Sequence, residues 1–416
     1  MKKVLVICDI FPPAFAPRMG YLCKYLPEYG WEPVVIAEYI PQHIYPKLSE
    51  HNQHITYVNF YHSNNNFVRK LKYALVFLAD FFFGYKDHIM TRIAQRQIKE
   101  QNISLILTSS YRTFPLRTAC KLSRLNKLPL IVDLRDIIEQ FPSNEHISKK
   151  VTNIKILNRF IADVLTRKMF RQRNKVLQHA DAVTTVSPWH VETLSHLASN
   201  VQLIYNGFDP DLFFPAIVLS STFKITYTGR LMSAALRDPS LLFGAVSNLA
   251  TANKIDADTF RIQFYTDDES EKILRAIAAG YHIADFIDYF GYVSNHDVPK
   301  VLNESSVLLL LTNKSAGRNT PKGIITTKVF EYIAVEKPIL CVKSDEGCLA
   351  AIIHETKSGI AADNVEQVEC FLMEKYAQWK QTGYTFQQTD RQIVGQFSRK
   401  EQVKQFIRIF NALTEQ

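Results

Sequence analysis

The sequence predicts an α/β protein made of two Rossmann-like domains, each a doubly wound parallel sheet. Its 416 residues suit two domains better than one core. Short apolar runs of strand length recur and alternate with segments of helical spacing, which is typical of βαβ units. The alternation restarts after a turn-rich segment near residue 210. We therefore expect two consecutive domains of similar size.

The first series begins with a continuous apolar run at residues 4–8, as expected of a strand buried on both faces. A loop at 9–17, a helical pattern at 18–29 ended by Gly30, and a strand at 32–37 complete one βαβ unit. Further predicted elements are strands at 105–108, 130–133, 183–186 and 203–205 and a helix at 116–125.

The second series follows the turn-rich segment 207–221. Its predicted strands are 223–228, 261–265, 287–289, 307–311 and 339–342, and residues 397–413 have helical spacing. The predicted boundaries are 1–207, 208–392 and a C-terminal segment 393–416. Because such sheets bind ligands beyond the carboxyl ends of their strands, a site is expected in a cleft between the domains.

Composition narrows the classes of function. Lys and Arg number 49 against 40 Asp and Glu, a formal charge of +9 that suits a phosphate-bearing ligand or an anionic surface. No basic stripe with interleaved aromatic residues indicates nucleic-acid binding. The six cysteines lack CxxC spacing and are expected to be buried, reduced thiols of a cytoplasmic protein. No histidine motif predicts zinc, and no apolar run reaches spanning length.

Two segments of the first domain carry candidate site residues. Arg18 and Gly20 lie near a predicted helix start, where backbone N–H groups and a guanidinium attract anions. The alternative is that Arg18 is an exposed first-turn residue. Asp133, Arg135 and Asp136 follow a predicted strand, where catalytic groups of open α/β sheets are found. The alternative is a local ion pair with Asp136 as a helix cap.

The second domain offers a phosphate-binding pattern. Gly229 and Arg230 directly follow a predicted strand, and Arg237 comes seven residues after Arg230. Glycine permits close backbone approach and arginine binds phosphate in a bidentate manner. Lys328 and Glu331 share one face of a helix predicted to begin near Thr326, so that the lysine suits a diphosphate and the glutamate suits ribose hydroxyls. The alternatives are surface charge and an ordinary ion pair three residues apart.

Two pairs of aspartates have the DxD spacing that can hold a divalent metal, Asp209 with Asp211 and Asp256 with Asp258. Neither pair follows a predicted strand. We interpret both as turn residues and expect no metal.

Residues 67–89 combine many large apolar side chains with Arg69, Lys70 and Lys72. The pattern is typical of a basic amphipathic helix, and one interpretation is that it lies on a membrane. The alternative is a core helix of the first domain.

Several segments together resemble glycosyltransferase family 4, whose members have the GT-B architecture of two Rossmann-like domains facing a central cleft. In chain order they are FPPAFAPRMGYLCKYLPEYGWEPVVI, PLIVDLRD, ADAVTTVSPW, LIYNGFDPDLF, YTGRL, YFGYVS and KGIITTKVFEYIAVEKPIL. They cover most of the chain, and the third, fourth and last are the specific ones. The resemblance implies an acceptor-binding first domain, a donor-binding second domain, and a final helix that crosses back to the first.

The resemblance also implies roles for individual residues. Arg230 and Lys328 would neutralise the diphosphate and Glu331 would hold the ribose. Tyr292 and Val293 would lie beside the base. Backbone N–H groups would come from Gly323, Ile324, Ile325, Thr326 and Thr327, and Gly229 and Arg237 would complete the donor site. The residues facing the acceptor and the reacting carbon would be Arg18, Gly20, Asp133, Arg135 and Asp136, with Asp133, Asp136, Arg230 and Lys328 as catalytic residues.

The chain departs from the family pattern at three places. The usual two glutamates with seven residues between them are here Gly323 and Glu331. Arg237 stands in for a lysine that usually follows the Gly-Arg pair closely. Arg135 and Asp136 occupy the region where many members have a histidine. Because no classical base is evident, the departures fit a front-face mechanism, in which the leaving phosphate helps to take the acceptor proton. They also fit an enzyme that has lost activity.

We therefore predict a retaining, metal-independent hexosyltransferase with no cofactor. It would use a UDP- or GDP-linked sugar and a glycan or lipid-linked acceptor in surface polysaccharide biosynthesis. Contact with the inner face of the plasma membrane is a further expectation. The alternatives are a nucleotide-sugar epimerase of the same architecture and a non-catalytic nucleotide-sugar-binding subunit.

Overall fold

The computed structural model describes residues 1–51, 54–110, 113–140, 155–234, 236–312, 323–343 and 347–415, with the side chains of 155–157 excepted. The chain divides into two compact units. The first unit comprises Met1–Asn206, Asn319–Gly323 and Arg399–Gln416, and the second comprises Gly207–Arg318 and Ile324–Ser398.

Over its described residues, the first unit contains a seven-stranded parallel sheet in the order β3-β2-β1-β4-β5-β6-β7. The order reverses between β1 and β4, which is the switch point of a doubly wound sheet. The elements are β1 Lys2–Cys8, α1 Pro17–Tyr25, β2 Trp31–Glu38, α2 Pro46–Glu50, β3 Ile55–Val58, α3 Asn66–Phe83, α4 Tyr85–Gln101, β4 Ile103–Ser110, α5 Leu116–Asn126, β5 Leu130–Leu134, α6 Lys155–Leu177, β6 Ala182–Thr185, α7 Pro188–Ser195 and β7 Val201–Leu203.

In its described part, the second unit has a six-stranded parallel sheet in the order β10-β9-β8-β11-β12-β13, with the switch point between β8 and β11. The elements are β8 Phe223–Thr228, α8 Ser240–Thr251, β9 Phe260–Tyr265, α9 Asp268–Ala278, β10 Ile287–Phe290, α10 Val298–Asn303, β11 Val307–Leu311, α11 Lys328–Ala334, β12 Ile339–Val342, α12 Cys348–Glu355, β13 Gly359–Ala362, α13 Val365–Thr382 and α14 Arg391–Gln396. Strands such as VLLLL are buried throughout because helices cover both faces.

The last helix, α15 (Arg399–Thr414), belongs to the first unit. Its buried residues Val403, Phe406 and Phe410 join the core on one face of the first sheet. The ring of Phe410 lies edge-on to Trp31 with the centroids 5.1 Å apart. Phe397, predicted as part of this helix, instead precedes it and packs against Phe330 in the second unit, 5.3 Å between centroids.

The structure corrects several predicted elements. The predicted helix 67–89 is two helices, because Gly84 has a φ of +64° and ends α3 in the left-handed conformation. Strand β7 lies two residues before the predicted 203–205. Strands β3 and β13 were not predicted; both are edge strands that are only partly buried, so neither has a continuous run of large apolar residues. Among the cysteines, Cys370 is exposed and Cys348 half-buried, so the expectation that all six are buried is wrong.

Helix α3 has no buried residue, which excludes the alternative that it is a core helix. Over the described ranges, no helix has both the length and the apolar character needed to cross a membrane.

Candidate functional site

At the carboxyl edge of the first sheet, Asp133 is fully buried. The register places it beside Ser109 of β4 and Thr184 of β6. Ser109 Oγ donates to Oδ2 at 3.2 Å and Thr184 Oγ1 donates to Oδ1 at 2.7 Å. Arg18 Nη2 lies 3.0 Å from Oδ1 and its Nε lies 3.2 Å from both oxygens. The carboxylate therefore has its hydrogen-bonding capacity occupied within the protein.

Arg18 is 3% exposed, so the alternative of an exposed first-turn residue is wrong. Its Nη1 donates to the carbonyl oxygen of Tyr205 at 2.8 Å, and its guanidinium lies 5.4 Å from the ring centroid of Phe406. The Arg18–Asp133 pair thus connects the start of α1 to the end of β5. These contacts favour a positioning role for both residues, in which they hold the loop that follows β5.

Gly20 serves packing at this edge. A Cβ on it would lie 2.6 Å from Cγ of Pro12, a separation that real side chains do not tolerate. We infer that Gly20 lets α1 pack against the preceding loop.

Arg135 and Asp136 follow β5 and are half-buried. Arg135 Nη2 lies 3.9 Å from Oδ1 of Asp9, and the Nε of Arg135 is buried with no hydrogen-bond partner in the described part of the chain. Burial raises the pKa of the Asp136 carboxyl, although Arg135 and a hydrogen bond from Gln140 oppose the rise. A ligand that changes the charge around this carboxyl would therefore change its protonation.

A buried histidine, which the motif analysis missed, lies behind Asp136. The Nε2 of His190 is 3.1 Å from Oε1 of Gln140, and its Nδ1 is 3.0 Å from Oγ1 of Thr185. Burial lowers the pKa of His190 to about 4, with Glu139 opposing, so the ring is neutral at pH 7. The segment ADAVTTVSPW directly precedes this histidine, and its resemblance to the family pattern could have pointed to His190.

In the second unit, Gly229 and Lys328 approach each other closely. Gly229 has a φ of +102°, and a Cβ on it would lie 2.8 Å from both Cε and Nζ of Lys328. The ammonium of Lys328 is 4.1 Å from the ring centroid of Tyr227. Burial holds the pKa of the Lys328 amine well below its usual range, Arg237 lowers it further and Glu331 opposes them. An anion brought to this amine would favour its charged form.

Arg230 is 65% exposed and pairs with Asp267, Nε to Oδ2 at 3.0 Å. Its guanidinium lies 5.9 Å from the ring of Tyr292, which brings two predicted donor residues together. Asp267 was not predicted; it also caps α9 by accepting from the N–H of Ser270 at 2.9 Å. Arg237 donates to the carbonyl oxygen of Arg230, so that it organises the loop.

Helix α11 begins at Lys328, two residues after the predicted start, and places Glu331 on the next turn. Of the segment before it, Ile325 is buried, whereas Ile324 is 42% exposed. Thr327 is also exposed, and Thr326 and Val293 are half-buried. All of these predicted donor-site residues except Ile325 are therefore at least partly exposed to solvent.

Gly323 clusters with the first unit and has a φ of +67°. A Cβ there would lie 2.8 Å from Cε3 of Trp189 and 3.0 Å from Oγ of Ser187. The backbone conformation and these neighbours both disfavour a glutamate at this position.

The two DxD pairs form turns. Asp256 Oδ1 accepts from the N–H of Thr259 at 2.8 Å, and Asp209 Oδ1 accepts from the N–H of Asp211 at 3.1 Å. Within the described ranges, no group of three histidine, cysteine or carboxylate side chains could hold a metal ion.

The sequence matches no family model, and no curated protein matches it. Solved structures nevertheless share its fold. HepE from Anabaena, in complex with UDP, has a TM-score of 0.62 at 14% identity, with 99% of this chain and 100% of that chain covered. Sucrose-phosphate synthase from Thermosynechococcus elongatus has a TM-score of 0.61 at 11% identity, with 99% of each chain covered.

A structure assigned as a UDP-N-acetylglucosamine 2-epimerase from Listeria monocytogenes is also similar, with a TM-score of 0.55 at 11% identity over 100% of this chain and 97% of that one. Together with the two parallel sheets, these likenesses confirm the predicted GT-B fold class.

Proposed function

We propose that this chain is a retaining glycosyltransferase of family 4 type that moves a hexose from a nucleotide-diphosphate sugar to a glycan or lipid-linked acceptor. The observation that carries the proposal is the cluster around Lys328, where a desolvated amine, Gly229 and Tyr227 meet beside Arg237. Support for a uridine donor comes from HepE, which shares the fold and has been solved with UDP and with UDP-glucose. GDP-sugars are the second donor class.

In the proposed donor site, Lys328 and Arg230 neutralise the diphosphate and Glu331 accepts from the ribose hydroxyls. Tyr292 and Val293 lie against the base. Backbone N–H groups of 323–327 contact the sugar and phosphates, with Gly229 and Arg237 completing the site. Fixed positive groups in a partly desolvated place stabilise developing negative charge strongly, which is why the proposal needs neither a metal nor a cofactor.

In the proposed reaction, the bond between the anomeric carbon and the diphosphate oxygen breaks while the acceptor oxygen bonds to the same face of that carbon. The acceptor proton passes to the departing phosphate oxygen. Asp136 is the proposed first-unit carboxyl near the acceptor, because its raised pKa reflects a partly desolvated place and its partner Gln140 connects it to His190. Arg18 and Asp133 position the loop that carries these groups, and Arg135 lies beside the acceptor.

The proposed acceptor is associated with a membrane, and the proposed reaction belongs to surface polysaccharide biosynthesis. Helix α3 supports this part of the proposal, because it exposes large apolar side chains such as Phe67 and Leu71 beside Arg69, Lys70 and Lys72. Basic residues beside exposed apolar ones favour peripheral contact with an anionic membrane, here its cytoplasmic face. The first unit would bind the acceptor and the second the donor.

Thermal unfolding against a panel of nucleoside diphosphates and nucleotide sugars tests the donor proposal. A ligand at about 100 times its Kd should raise the free energy of unfolding by roughly 2.7 kcal/mol. We expect a selective response to one base, and loss of the response in Glu331→Ala, with Glu366→Ala on the second unit as the control. No response to any nucleotide would contradict the proposal.

The products formed from the recognised donor separate the alternatives. A transferase releases nucleoside diphosphate only slowly without acceptor and leaves the donor sugar unchanged. Conversion of the donor to its epimer would identify an epimerase, and binding without turnover in the presence of membrane extracts would identify a non-catalytic subunit.

A further inference from the structure

A cavity of about 680 Å³ opens on the second unit, in the range of small-molecule sites. None of the residues that line it belongs to the proposed donor site. Its walls come from the segment before β8, the connection from α11 to β12 and the segment between α13 and α14, and they include Ile217, Lys337, Phe386, Gln387 and Thr389.

Lys337 brings a buried amine to this cavity. The residue is 3% exposed, and within the described part of the chain its amine has only a long hydrogen bond, 3.5 Å to the carbonyl oxygen of Thr385. Burial lowers the pKa of the amine to about 8, so most molecules carry the charge at pH 7. A buried cation without a counter-ion is costly, and an anion beside it would remove the cost.

The other cation of the cavity is already paired. Arg391 Nε lies 2.7 Å from Oε1 of Glu336, and its Nη2 donates to Oε2 at 2.8 Å. Lys337 is therefore the positive charge that the cavity offers to a ligand.

Two further polar atoms in the cavity wall are buried and lack a hydrogen-bond partner in the described chain, Oε1 of Gln387 and Oγ1 of Thr389. The Gln387 amide is oriented by its own Nε2, which donates to the carbonyl oxygen of Lys357 at 3.0 Å. Its Oε1 is therefore a hydrogen-bond acceptor for a hydroxyl or N–H donor of a ligand. The hydroxyl of Thr389 can either donate or accept. Exposed Ile217 and Phe386 add apolar surface.

We propose that this cavity is a second small-molecule site, which binds a hydroxylated anion such as a sugar acid or a sugar phosphate. The anionic group contacts Lys337, and the hydroxyl groups contact Gln387 and Thr389. The C–H face of the ligand lies against Phe386. This site is independent of the proposed donor site, and its occupancy needs no turnover.

The test is thermal unfolding with D-glucuronate and D-glucose 6-phosphate as separate probes and uncharged D-glucose as the matched control. We expect a saturable rise in Tm with at least one of the two anions and none with glucose. Lys337→Met, which keeps the apolar stem, should abolish the response, whereas Lys300→Met on the exposed face of α10 should retain it. Thr389→Val should weaken binding about tenfold through loss of one buried hydrogen bond.

The Thr389→Val variant keeps the test decisive if Lys337→Met fails to fold. The response should also persist in Lys328→Met, and the nucleotide response should persist in Lys337→Met, so that failure of one site does not resemble failure of the other. No saturable shift with either anion, an equal shift with glucose, or an undiminished shift in Lys337→Met would overturn the proposal.

Discussion

Lys328 shows how one residue couples protonation to ligand binding. In the free protein, burial and Arg237 lower the pKa of its amine, while Glu331 raises it. A diphosphate would favour the charged form and raise that pKa. Binding should therefore take up a proton whenever the pH lies between the two values, and affinity should fall as the pH rises through them.

Lys328→Met should lower turnover by about 10²–10³ if the amine stabilises the departing diphosphate. In calorimetry, the binding enthalpy of the wild-type protein should depend on the ionisation enthalpy of the buffer, and that dependence should vanish in the variant. Lys300→Met, whose side chain is 78% exposed, provides the control. If the binding enthalpy of the wild-type protein were independent of the buffer at every pH, Lys328 would not be a contact of the diphosphate.

The pKa of Asp136 is shifted upward, whereas that of Lys328 is shifted downward, and the upward shift makes the stability of the protein depend on pH. Its folded-state pKa is raised by burial, so its contribution to stability is fully present below the unfolded pKa and is lost as the pH rises through the folded one. Asp136→Asn should therefore raise the free energy of unfolding at pH 7, and the gain should shrink in acid.

The same variant should lower turnover at least tenfold, an order of magnitude typical of lost acid–base or electrostatic groups, with little change in donor affinity. Glu139→Gln is a neighbouring comparison that removes a different carboxylate. Wild-type kinetics in Asp136→Asn would place Asp136 outside the acceptor site.

At the scale of elements, α3 is unusual because all 18 of its residues lie outside the core. The asparagine before it caps the helix by accepting from the N–H groups of Phe67 and Val68, and Gly84 ends it. The helix is thus terminated by local interactions, and most of its apolar side chains are exposed, although Val76 packs partly buried against the core of the first unit. A membrane surface would cover the exposed side chains.

Replacing Arg69, Lys70 and Lys72 with glutamine should weaken binding to anionic vesicles. At about 1 kcal/mol per basic residue, the three changes would reduce affinity roughly 100-fold. The matched control replaces Arg92, Arg96 and Lys99 on the neighbouring helix α4 with glutamine. The two triple variants then have the same net charge. Equal losses in the two triple variants would show that only overall charge matters and would contradict a docking role for α3.

At the scale of the whole molecule, the chain returns to the first unit at its end. Helix α15 contributes Val403, Phe406 and Phe410 to a core that also contains strands from the first 40 residues. The stability of the first unit therefore depends on residues that the chain contributes last.

Phe410→Ala should lower the free energy of unfolding by about 3–5 kcal/mol, the usual cost of a large cavity in a core. Phe83→Ala, at a side chain that is 85% exposed, should change it by less than about 0.5 kcal/mol. Denaturant titration of both variants measures the difference. A similar small effect in both would show that α15 does not contribute to this core in solution.

The sequence by itself determined the strands whose apolar runs are continuous. Val307–Leu311 and Ile339–Val342 have the predicted bounds, because burial on both faces imposes an apolar residue at each position. It also indicated that Lys328 and Glu331 share a helix, since helical spacing is a local property. These features need no knowledge of distant parts of the chain.

Only the tertiary structure decided which side chains meet. The Arg18–Asp133 pair joins residues 115 positions apart, and the His190–Gln140 contact spans 50. The cavity around Lys337 likewise gathers three separate segments. Strand order and register bring such residues together, and neither is encoded by the periodicity of a single segment. Local patterns therefore predicted the elements, and the packing of those elements decided the pairing of their charges.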